Sequence, residues 1–358
     1  MQTDNKKAAI ITIYGENNYG NRLQNYAVYW CFQKWGKYAE TIVFRTRKTL
    51  RESIKSRVKD VVAKVAPNWL YKKAPNYFRE KCFKKFTKTY IPTRYFRSPI
   101  NKKILNKYDT FITGSDQVWN PCFGNYEKIF DTMFLTSISN EKKRCFSPSF
   151  GVEDIPERWK EKFSLALNTF PKLCAREQSG VEIIRKLTGR SALLMIDPTL
   201  MLDAKDWLKV ANKVYLKTNN FIFDYFLGTT PDKNPNYQNA LFYKKALTRI
   251  KLLDPADKTI FRSGPSEFIY LIAQATLICT DSFHACVFSI LFDKPFIVFR
   301  REDENWDMFT RITTLLELFD ESSADIAGKI IHISPEKRDM VLNKKRKEVE
   351  EFFEINPY

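Results

Sequence analysis

Short apolar runs rich in β-branched residues alternate along this chain with segments whose apolar residues recur at helical spacing. Residues 8–14 form such a run, a polar turn with two glycines follows, residues 21–35 have the helical pattern, and residues 41–44 form the next run. Strand, helix and strand in this order are the unit from which parallel α/β sheets are built. The sequence therefore predicts an α/β fold from its first segments onward.

The alternation continues in two stretches that Asp197-Pro198 separates. In the first stretch the pattern predicts strands at residues 109–113, 143–147, 172–175 and 193–196, with a helix at 181–187. In the second it predicts strands at 221–226, 276–279 and 295–299, and helices at 241–250, after Pro265, at 283–292 and at 308–318. We expect two Rossmann-like domains, residues 1–200 and 201–333, that face a cleft. A strongly charged helix is expected within residues 334–358. The sequence does not determine where this helix packs, and the junction between the two domains is one option.

A helical insertion of about residues 49–97 interrupts the first domain. Thr49 and Glu52 have the spacing of a capping box at the start of a helix that ends before Pro67. An apolar stripe runs along this helix, formed by Ile54, Val58, Val61, Val62 and Val65. A second helix is expected to carry on one face Phe78, Cys82 and Phe86.

The charge of the chain is concentrated in this insertion. The length of 358 residues, with 44% hydrophobic and 28% charged residues, excludes a disordered chain or a small disulfide-stapled scaffold. The 59 Lys and Arg against 41 Asp and Glu give a net charge of +18, and residues 51–100 hold 14 of the basic and 3 of the acidic residues. Such a surplus indicates an anionic partner, which at this point is nucleic acid, a membrane or a phosphorylated substrate.

Cysteine and histidine usage restricts the chemistry further. The seven cysteines include no C-x-x-C pair, and the chain has only two histidines, so that a Cys/His zinc site is not expected. Scattered cysteines within apolar strands are typical of reduced, buried thiols. No segment has the apolar core of a signal peptide or the length of a membrane span, and we expect a cytoplasmic protein.

The first polar turn has the glycine spacing of a phosphate-binding loop without its lysine. Gly15 and Gly20 fit the Walker A pattern, but Asn21 occupies the lysine position, which argues against an NTPase. The turn does not match G-x-G-x-x-G either. Two interpretations stay open: Asn17 and Asn21 help to bind an anion or sugar at a helix N-terminus, or the turn is rich in asparagine and binds nothing.

A second polar loop follows the strand predicted at 109–113. Within six residues it contains Ser115, Asp116, Gln117, Trp119 and Asn120. A carboxylate, amides and an aromatic plane suit sugar recognition, because hydroxyls need directional partners and a sugar ring presents an apolar face. The alternative is a polar turn with a tryptophan in the core.

Two further residues lie where a strand passes into a helix. Arg176 would stand beside a helix N-terminus, where it binds an anionic ligand or pairs with Glu177. His284 lies in the first turn of an apolar helix, and an acid role there requires a nearby carboxylate or anion, since a helix N-terminus disfavours the imidazolium. Asp281 could supply the carboxylate or only cap the helix, and a satisfied core histidine is the other interpretation. Ser282 lacks a G-x-S-x-G elbow, which argues against a serine hydrolase.

Taken together, these motifs resemble the polysaccharide pyruvyl transferase family. The matching segments are Asn-Asn-Tyr-Gly-Asn-Arg-Leu-Gln-Asn-Tyr-Ala at 17–27, Thr-Gly-Ser-Asp-Gln-Val-Trp-Asn-Pro at 113–121, Ser-Phe-Gly at 149–151, Ala-Arg-Glu-Gln-Ser-Gly at 175–180, Asp-Pro-Thr-Leu at 197–200, Gly-Pro-Ser-Glu-Phe at 264–268, Thr-Asp-Ser-Phe-His at 280–284 and Lys-Pro-Phe at 294–296. They occur in order over nearly the whole chain, which makes the resemblance specific although each motif is weak.

The resemblance implies a GT-B-like architecture and the transfer of pyruvate from phosphoenolpyruvate to two hydroxyls of a sugar, as a cyclic ketal. The first domain would hold the acceptor and the second the donor. His284 matches the family's proposed general acid, Arg176 its donor-binding arginine and Lys294 the basic residue after the histidine helix. Ser282 takes a position where many members have an arginine that binds the donor. Asp116 is our candidate for the base, from its loop position.

The resemblance also implies partners and excludes others. It implies no nucleotide or metal cofactor, and an acceptor that is a lipid-linked precursor of a capsule or exopolysaccharide. With that acceptor, the basic block at residues 51–97 suggests docking on the inner face of a bacterial plasma membrane. The alternatives are a glycosyltransferase that uses a nucleotide sugar, and an anion-binding or nucleic-acid-binding protein, the latter not favoured because no nucleic-acid motif is present. The oligomeric state stays open.

Overall fold

The computed structural model describes residues 7–15, 17–44, 50–96, 104, 106–245, 248–301, 309–321 and 326–355. Thr49 of the expected capping box and the first residue of the helix expected at 308–318 lie outside these residues.

The first half of the chain folds into a parallel sheet surrounded by helices. Its strands, in sheet order β3-β2-β1-β4-β5, are β1 (Lys7–Ile11), β2 (Tyr38–Phe44), β3 (Thr93–Phe96), β4 (Thr110–Asp116) and β5 (Lys143–Pro148). A short parallel pair follows, formed by β6 (Cys174–Ala175) and β7 (Leu193–Leu194). The helices are α1 (Tyr19–Lys34), α5 (Tyr126–Met133), α6 (Glu157–Leu167) and α7 (Gln178–Thr188), together with the insertion described below.

The second half repeats this plan. Its strands, in sheet order β12-β11-β10-β8-β9, are β8 (Phe221–Tyr225), β9 (Thr248–Lys251), β10 (Leu277–Thr280), β11 (Phe296–Val298) and β12 (Ile330–Ile331), and only β12 is antiparallel. The helices are α8 (Ala204–Leu208), α9 (Pro235–Asn239), α10 (Lys258–Phe261), α11 (Pro265–Gln274), α12 (Phe283–Leu291) and α13 (Thr310–Glu317).

The two parallel sheets confirm the predicted α/β fold with two Rossmann-like halves, the arrangement that a GT-B-like architecture requires. One predicted element is wrong. The helix expected at 241–250 is a 3-10 helix at Ala240–Lys245 followed by the edge strand β9, which pairs with β8. The partner strand decides this conformation, because a short segment with β-branched residues fits either pattern until a sheet edge is available.

Tyr19, in the first turn of α1, joins the two halves. Its hydroxyl donates a hydrogen bond of 2.8 Å to the carbonyl of Ser263 in the second half. Its ring stacks on Phe268 at a centroid distance of 4.8 Å and meets the edge of Tyr225 at 5.5 Å. The start of α1 is therefore fixed against the second sheet and its helices.

The insertion also connects the halves. It consists of α2 (Leu50–Val65), α3 (Pro67–Lys73) and α4 (Asn76–Tyr90). The ring of Phe83 in α4 packs on Tyr19 at a centroid distance of 4.8 Å. The Tyr71 hydroxyl of α3 donates a hydrogen bond of 2.9 Å to the carbonyl of Pro255. A Cβ atom at Gly264 would lie 2.7 Å from Cys82 of α4, so glycine permits this close approach.

The last helix, α14 (Pro335–Phe352), runs between the two halves. Near its start Arg338 donates to the carbonyl of Leu291 at the end of α12. Just after its end the ring of Phe353 packs on Trp35 and Phe146 of the first half at centroid distances of 5.3 and 5.0 Å. In the part of the chain that the structure describes, no helix has the length and apolar character needed to cross a bilayer.

Replacing Tyr19 tests whether its contacts hold the halves together. Tyr19→Phe leaves the Ser263 carbonyl without its donor and should lower the free energy of unfolding by about 1 kcal/mol. Tyr19→Ala also removes the ring and should cost about 3–5 kcal/mol. Denaturant unfolding measures both, with Tyr215→Ala as the control, because that ring is 83% exposed. A Tyr19→Ala variant as stable as the control would contradict this role.

Candidate active site

The candidate site lies where loops after β1, β4, β6 and β10 meet between the halves. The loop after β1 leads into α1, and β10 leads through Asp281 and Ser282 into α12. A Cβ atom built on Gly20 would lie 2.0 Å from Nδ1 of His284, so only glycine lets the first turn of α1 approach the imidazole this closely. Gly20, the second glycine of this polar turn, thus makes room for the histidine.

Asp197 holds the centre of the site. One carboxylate oxygen, Oδ2, lies 2.7 Å from Nη1 of Arg176 and 3.6 Å from Nε2 of His284. The other, Oδ1, accepts hydrogen bonds from the backbone N–H and the hydroxyl of Thr199 at 2.9 and 2.6 Å. Asp197 is thereby fixed by its own turn and orients the arginine and the histidine relative to each other.

Asp116 approaches the same arginine from the first half. Its Oδ1 lies 3.6 Å from Nη2 of Arg176, and its Oδ2 accepts a hydrogen bond of 3.1 Å from the amide of Asn21. The oxygen of that amide accepts in turn from Arg22 at 2.8 Å and from the backbone of Gly15 at 3.2 Å. Asp116 itself has a φ of 71°, a left-handed conformation that non-glycine residues rarely adopt. Its carboxylate is therefore aimed by the backbone and by Asn21.

A second buried arginine, Arg311 of α13, adds to the positive charge. Its Nη1 and Nη2 lie 2.8 and 3.0 Å from the side-chain amide of Gln117, whose oxygen must face these donors. Burial, together with repulsion by Arg176, lowers the pKa of Arg311 to about 10. Two guanidinium groups therefore stand close together in a site that excludes water.

The charged form of both carboxylates is favoured in this site. Burial by itself would raise the pKa of Asp197, but His284 and Arg176 outweigh it and hold this pKa well below its usual range. The pKa of Asp116 is also lowered, since Arg176, His284 and the hydrogen bond from Asn21 outweigh burial. Burial acts against the charge of Arg176, yet Asp197 and Asp116 raise its pKa. The site is a network of charged groups that stabilise one another.

Three buried nitrogens in this network make no hydrogen bond to any described residue. They are Nε and Nη2 of Arg176 and Nε2 of His284. Buried donors without partners are uncommon and indicate a strain reservoir or a ligand that the site is built to receive. Here they belong to a cation and an imidazole that share one carboxylate, which suits an anionic ligand.

The structure brings together many of the residues that the sequence analysis proposed for the site. His284, Arg176, Asp116, Asn21 and Gln117 all belong to the network described above. Two others lie at its edge: Ser282 is the N-cap residue of the histidine helix, and Asn17 lies exposed in the loop before α1.

Ser115 contacts the centre of the site, whereas Trp119 belongs to the core. The Ser115 hydroxyl is fully buried, donates a hydrogen bond of 2.9 Å to the carbonyl of Ser147 and lies 3.4 Å from Oδ2 of Asp197. Trp119 is also fully buried, and its ring packs on Phe134, Phe150 and Phe170 at centroid distances of 5.2, 5.3 and 5.6 Å. The expectation that Trp119 presents its face to a sugar is thus wrong, because these aromatic rings surround it, and the alternative of a core tryptophan describes what the structure has.

Two further expectations differ from the structure. Lys294 follows the far end of α12, while His284 lies in its first turn, and the helix extends about 10 Å from His284 to its last residue at 1.5 Å per residue. Asp281 neither caps this helix nor contacts His284. It accepts hydrogen bonds from the backbone of Leu227 and Gly228 and from Arg301, each at 2.8 Å.

The alternative pairing of Arg176 with Glu177 does not occur. Glu177 accepts a hydrogen bond of 2.7 Å from the backbone of Phe150, while Arg176 pairs with Asp197.

Sequence reasoning did not identify Asp197 or Arg311 as site residues. The pattern marks Asp197 as a break and places it in the matching segment at 197–200, without a role at the site, although its position after a strand and before Pro198-Thr199 is the signal of a capping aspartate. Arg311 lies on a helix with no motif around it, and the packing of α13 against α7 and α12 brings it to Gln117.

Asp197→Asn tests the ion pair at the centre of the site. It leaves the buried Arg176 without its closest counter-charge and should lower the free energy of unfolding at pH 7 by about 3–5 kcal/mol. A lowered carboxyl pKa stabilises the fold above the ordinary value of about 3.9, and this stabilisation is lost as the pH falls toward the folded-state value. The difference between wild type and variant should therefore be constant from about pH 5 to 8 and shrink below about pH 4.

Thermal and denaturant unfolding across this pH range measure the effect. Glu182→Gln is the control, because it breaks the exposed pair between Glu182 and Arg185 and should change nothing measurable. A difference that stays constant down to pH 3 would contradict the assignment of the lowered pKa to Asp197.

Comparisons with solved structures find chains of similar size. The Neisseria meningitidis UDP-GlcNAc 2-epimerase bound to UDP-GlcNAc is 9% identical, with 98% of this chain and 100% of that one covered and a TM-score of 0.45. The Methanocaldococcus jannaschii UDP-GlcNAc 2-epimerase is 10% identical, with 97% and 99% covered and a TM-score of 0.44. The E. coli heptosyltransferase WaaC with ADP is 10% identical, with 83% and 88% covered and a TM-score of 0.36.

Sequence comparison is more specific. No curated protein sequence matches the chain significantly. The family described as polysaccharide pyruvyl transferase matches over residues 18–303. This range begins at the N-cap of α1 and extends beyond β10 and the histidine helix, so it includes Asp116, Arg176, Asp197 and His284. The chain belongs to the polysaccharide pyruvyl transferase family.

Proposed function

We propose that this protein transfers pyruvate from phosphoenolpyruvate to two hydroxyls of a lipid-linked saccharide, which forms a cyclic ketal and releases phosphate. The observation that carries the proposal is the convergence of His284, two buried guanidinium groups and a carboxylate at one point between the halves. Family membership supports pyruvyl transfer to a polysaccharide. Phosphoenolpyruvate as the donor and the lipid linkage of the acceptor are parts of this proposal that go beyond family membership.

Phosphoenolpyruvate suits the charge of this site. It carries a carboxylate and a phosphate, both of which guanidinium groups bind in bidentate geometry. Arg176 has two donor nitrogens without hydrogen bonds to described residues, and Arg311 stands beside it under mutual repulsion. An anion placed between them would relieve that repulsion and satisfy the buried donors.

His284 would supply the proton that the donor carbon needs. Transfer of this proton to the methylene carbon turns it into a methyl group, while the oxygen of one acceptor hydroxyl bonds to the adjacent carbon. The bond from that carbon to the phosphate oxygen then breaks, and the phosphate leaves with the electron pair and takes up the proton of the first hydroxyl. The second hydroxyl closes the ketal, and its proton returns to the imidazole. The carboxylate of Asp197, 3.6 Å from Nε2, orients the imidazole for this step.

Asp116 would receive the acceptor hydroxyl. Its lowered pKa keeps it ionised near neutral pH, so it can accept a hydrogen bond from the attacking hydroxyl. Such a weak base takes the proton only late, after the oxygen has begun to bond to the carbon, when the hydroxyl proton has become acidic. The hydrogen bond from Asn21 keeps the carboxylate in position.

The donor and the catalytic groups are tested together. Purified protein with phosphoenolpyruvate and a lipid-linked acceptor should release phosphate and yield a pyruvylated product. His284→Gln should lower kcat by about 100-fold to 10,000-fold through loss of the acid. Arg176→Lys keeps the charge but loses the planar guanidinium group, and it should strongly lower kcat/KM for phosphoenolpyruvate. Lys294→Ala is the matched control, since its position at the far end of α12 predicts nearly normal activity.

Two results would contradict the proposal. One is normal turnover in His284→Gln. The other is thermal stabilisation of the protein by a nucleotide sugar but not by phosphoenolpyruvate, which would favour a glycosyltransferase.

Gly20→Ala tests whether the approach of α1 to the imidazole matters for turnover. The new methyl group would overlap the ring and has to displace His284, so kcat should fall at least about tenfold, and overpacking should cost about 1–3 kcal/mol of stability. Gly124→Ala is the control, because a Cβ atom there meets nothing within 4 Å. Equal activity of both variants would show that the histidine does not depend on this contact.

A further inference from the structure

One side of α2 in the insertion faces α4. Asp60 on this side forms an ion pair of 3.0 Å with Lys81 of α4 and accepts a hydrogen bond from Tyr77, and the side chains of Asp60 and Lys81 are 52% and 47% exposed. Ser56 and Ala63, which share that side of the helix, are partly buried. The opposite side of α2 therefore points away from α4.

The outward face of α2 is apolar. Its side chains follow one another at spacings of four, three and four residues, and their exposed fractions are 53% for Ile54, 54% for Val58, 60% for Val61 and 76% for Val65. Trp69 of α3, just beyond the end of α2, is 57% exposed. A surface helix of a globular protein ordinarily has the reverse orientation, with its apolar stripe toward the core. Contiguous exposed apolar side chains of this kind indicate a binding surface. We call these five residues the apolar ridge.

Basic side chains flank the apolar ridge. At 100° per residue, Arg57 and Lys64 lie about 70–90° from its middle on one side and Lys55 about 90° on the other. All three are exposed, as are Lys72 and Lys73 beside Trp69. Residues 51–100 together hold 14 basic and 3 acidic residues in the sequence.

This combination selects the partner. A second copy of the chain would bring two strongly positive surfaces together, which is unfavourable, whereas an anionic surface complements them. An apolar stripe with flanking Lys and Arg and an adjoining Trp is the composition of a helix that lies in the plane of a membrane interface. Its apolar side chains enter the boundary of the acyl chains, the tryptophan sits among the headgroups, and the basic groups meet the phosphates.

We propose that α2 and the start of α3 dock on an anionic lipid bilayer through the apolar ridge, with the flanking Lys and Arg on the lipid headgroups. This surface does not depend on the proposed reaction. It would hold the protein at a membrane whatever acceptor the active site takes.

Co-sedimentation of the full-length protein with vesicles tests this docking. Binding should be strong to vesicles with equal parts of phosphatidylcholine and phosphatidylglycerol and at least about tenfold weaker to phosphatidylcholine alone. Val58→Glu with Val61→Glu should reduce binding to the anionic vesicles at least about 100-fold, because charges cannot enter the acyl boundary. Lys55→Gln with Arg57→Gln and Lys64→Gln should reduce it at least about tenfold.

Leu165→Glu is the matched control, because this leucine is equally exposed on α6, away from the insertion, and should leave binding unchanged. Circular dichroism and thermal unfolding check that each variant is folded, and exposed positions should tolerate the changes. Trp69→Phe should also remove a fluorescence blue shift that anionic vesicles induce in the wild type.

Three outcomes would overturn the proposal. They are no binding to anionic vesicles, binding by the double glutamate variant equal to that of the wild type, and a dimer in solution that the double glutamate variant abolishes, which would make the apolar ridge an interface between copies. Because none of these assays measures turnover, their failure would leave the proposed reaction standing.

Discussion

The ion pair between Arg176 and Asp197 is the interaction on which the candidate site depends. Both side chains are buried, and taking two charges out of water costs free energy that their attraction only partly returns. The pair is therefore poorly explained by stability alone. It fixes the guanidinium so that Asp116 can approach from one side, and it directs a carboxylate at the imidazole of His284. The arrangement prepares the site for an anion before any ligand binds.

The two halves are held together around this pair by close packing. The first turn of α1 supplies Tyr19, which reaches the second half, and Gly20, which lets the backbone meet the imidazole. The insertion and the last helix add contacts with both halves on either side. The position of His284 is thus set by residues distant in the chain.

The insertion shows how one segment serves two surfaces. Its last helix, α4, packs Phe83 on Tyr19 of α1, whereas α2 turns the side that carries Asp60 toward α4 and leaves the apolar ridge exposed. The sequence pattern of α2 is that of an ordinary amphipathic helix, and periodicity is the same whichever way the helix is rotated. The tertiary structure, in which Asp60 meets α4, shows that the stripe faces outward.

The sequence by itself determined the α/β fold, the order of most elements and the family. These follow from local patterns: buried parallel strands are apolar throughout, helices show their period, and turn residues mark the boundaries. It also proposed His284, Arg176 and Asp116 for the site, because each lies at or just after the end of a strand, at the edge where parallel sheets bind ligands.

The tertiary structure decided what depends on distant neighbours. It made Asp197 the counter-charge of Arg176 and His284, and brought Arg311 to the site from a helix with no motif. It placed Trp119 in the core, since an aromatic residue in a polar loop can face either way until the surrounding loops close over it. It gave residues 248–251 a strand partner, because the free energy of a short strand comes from the neighbour with which it pairs.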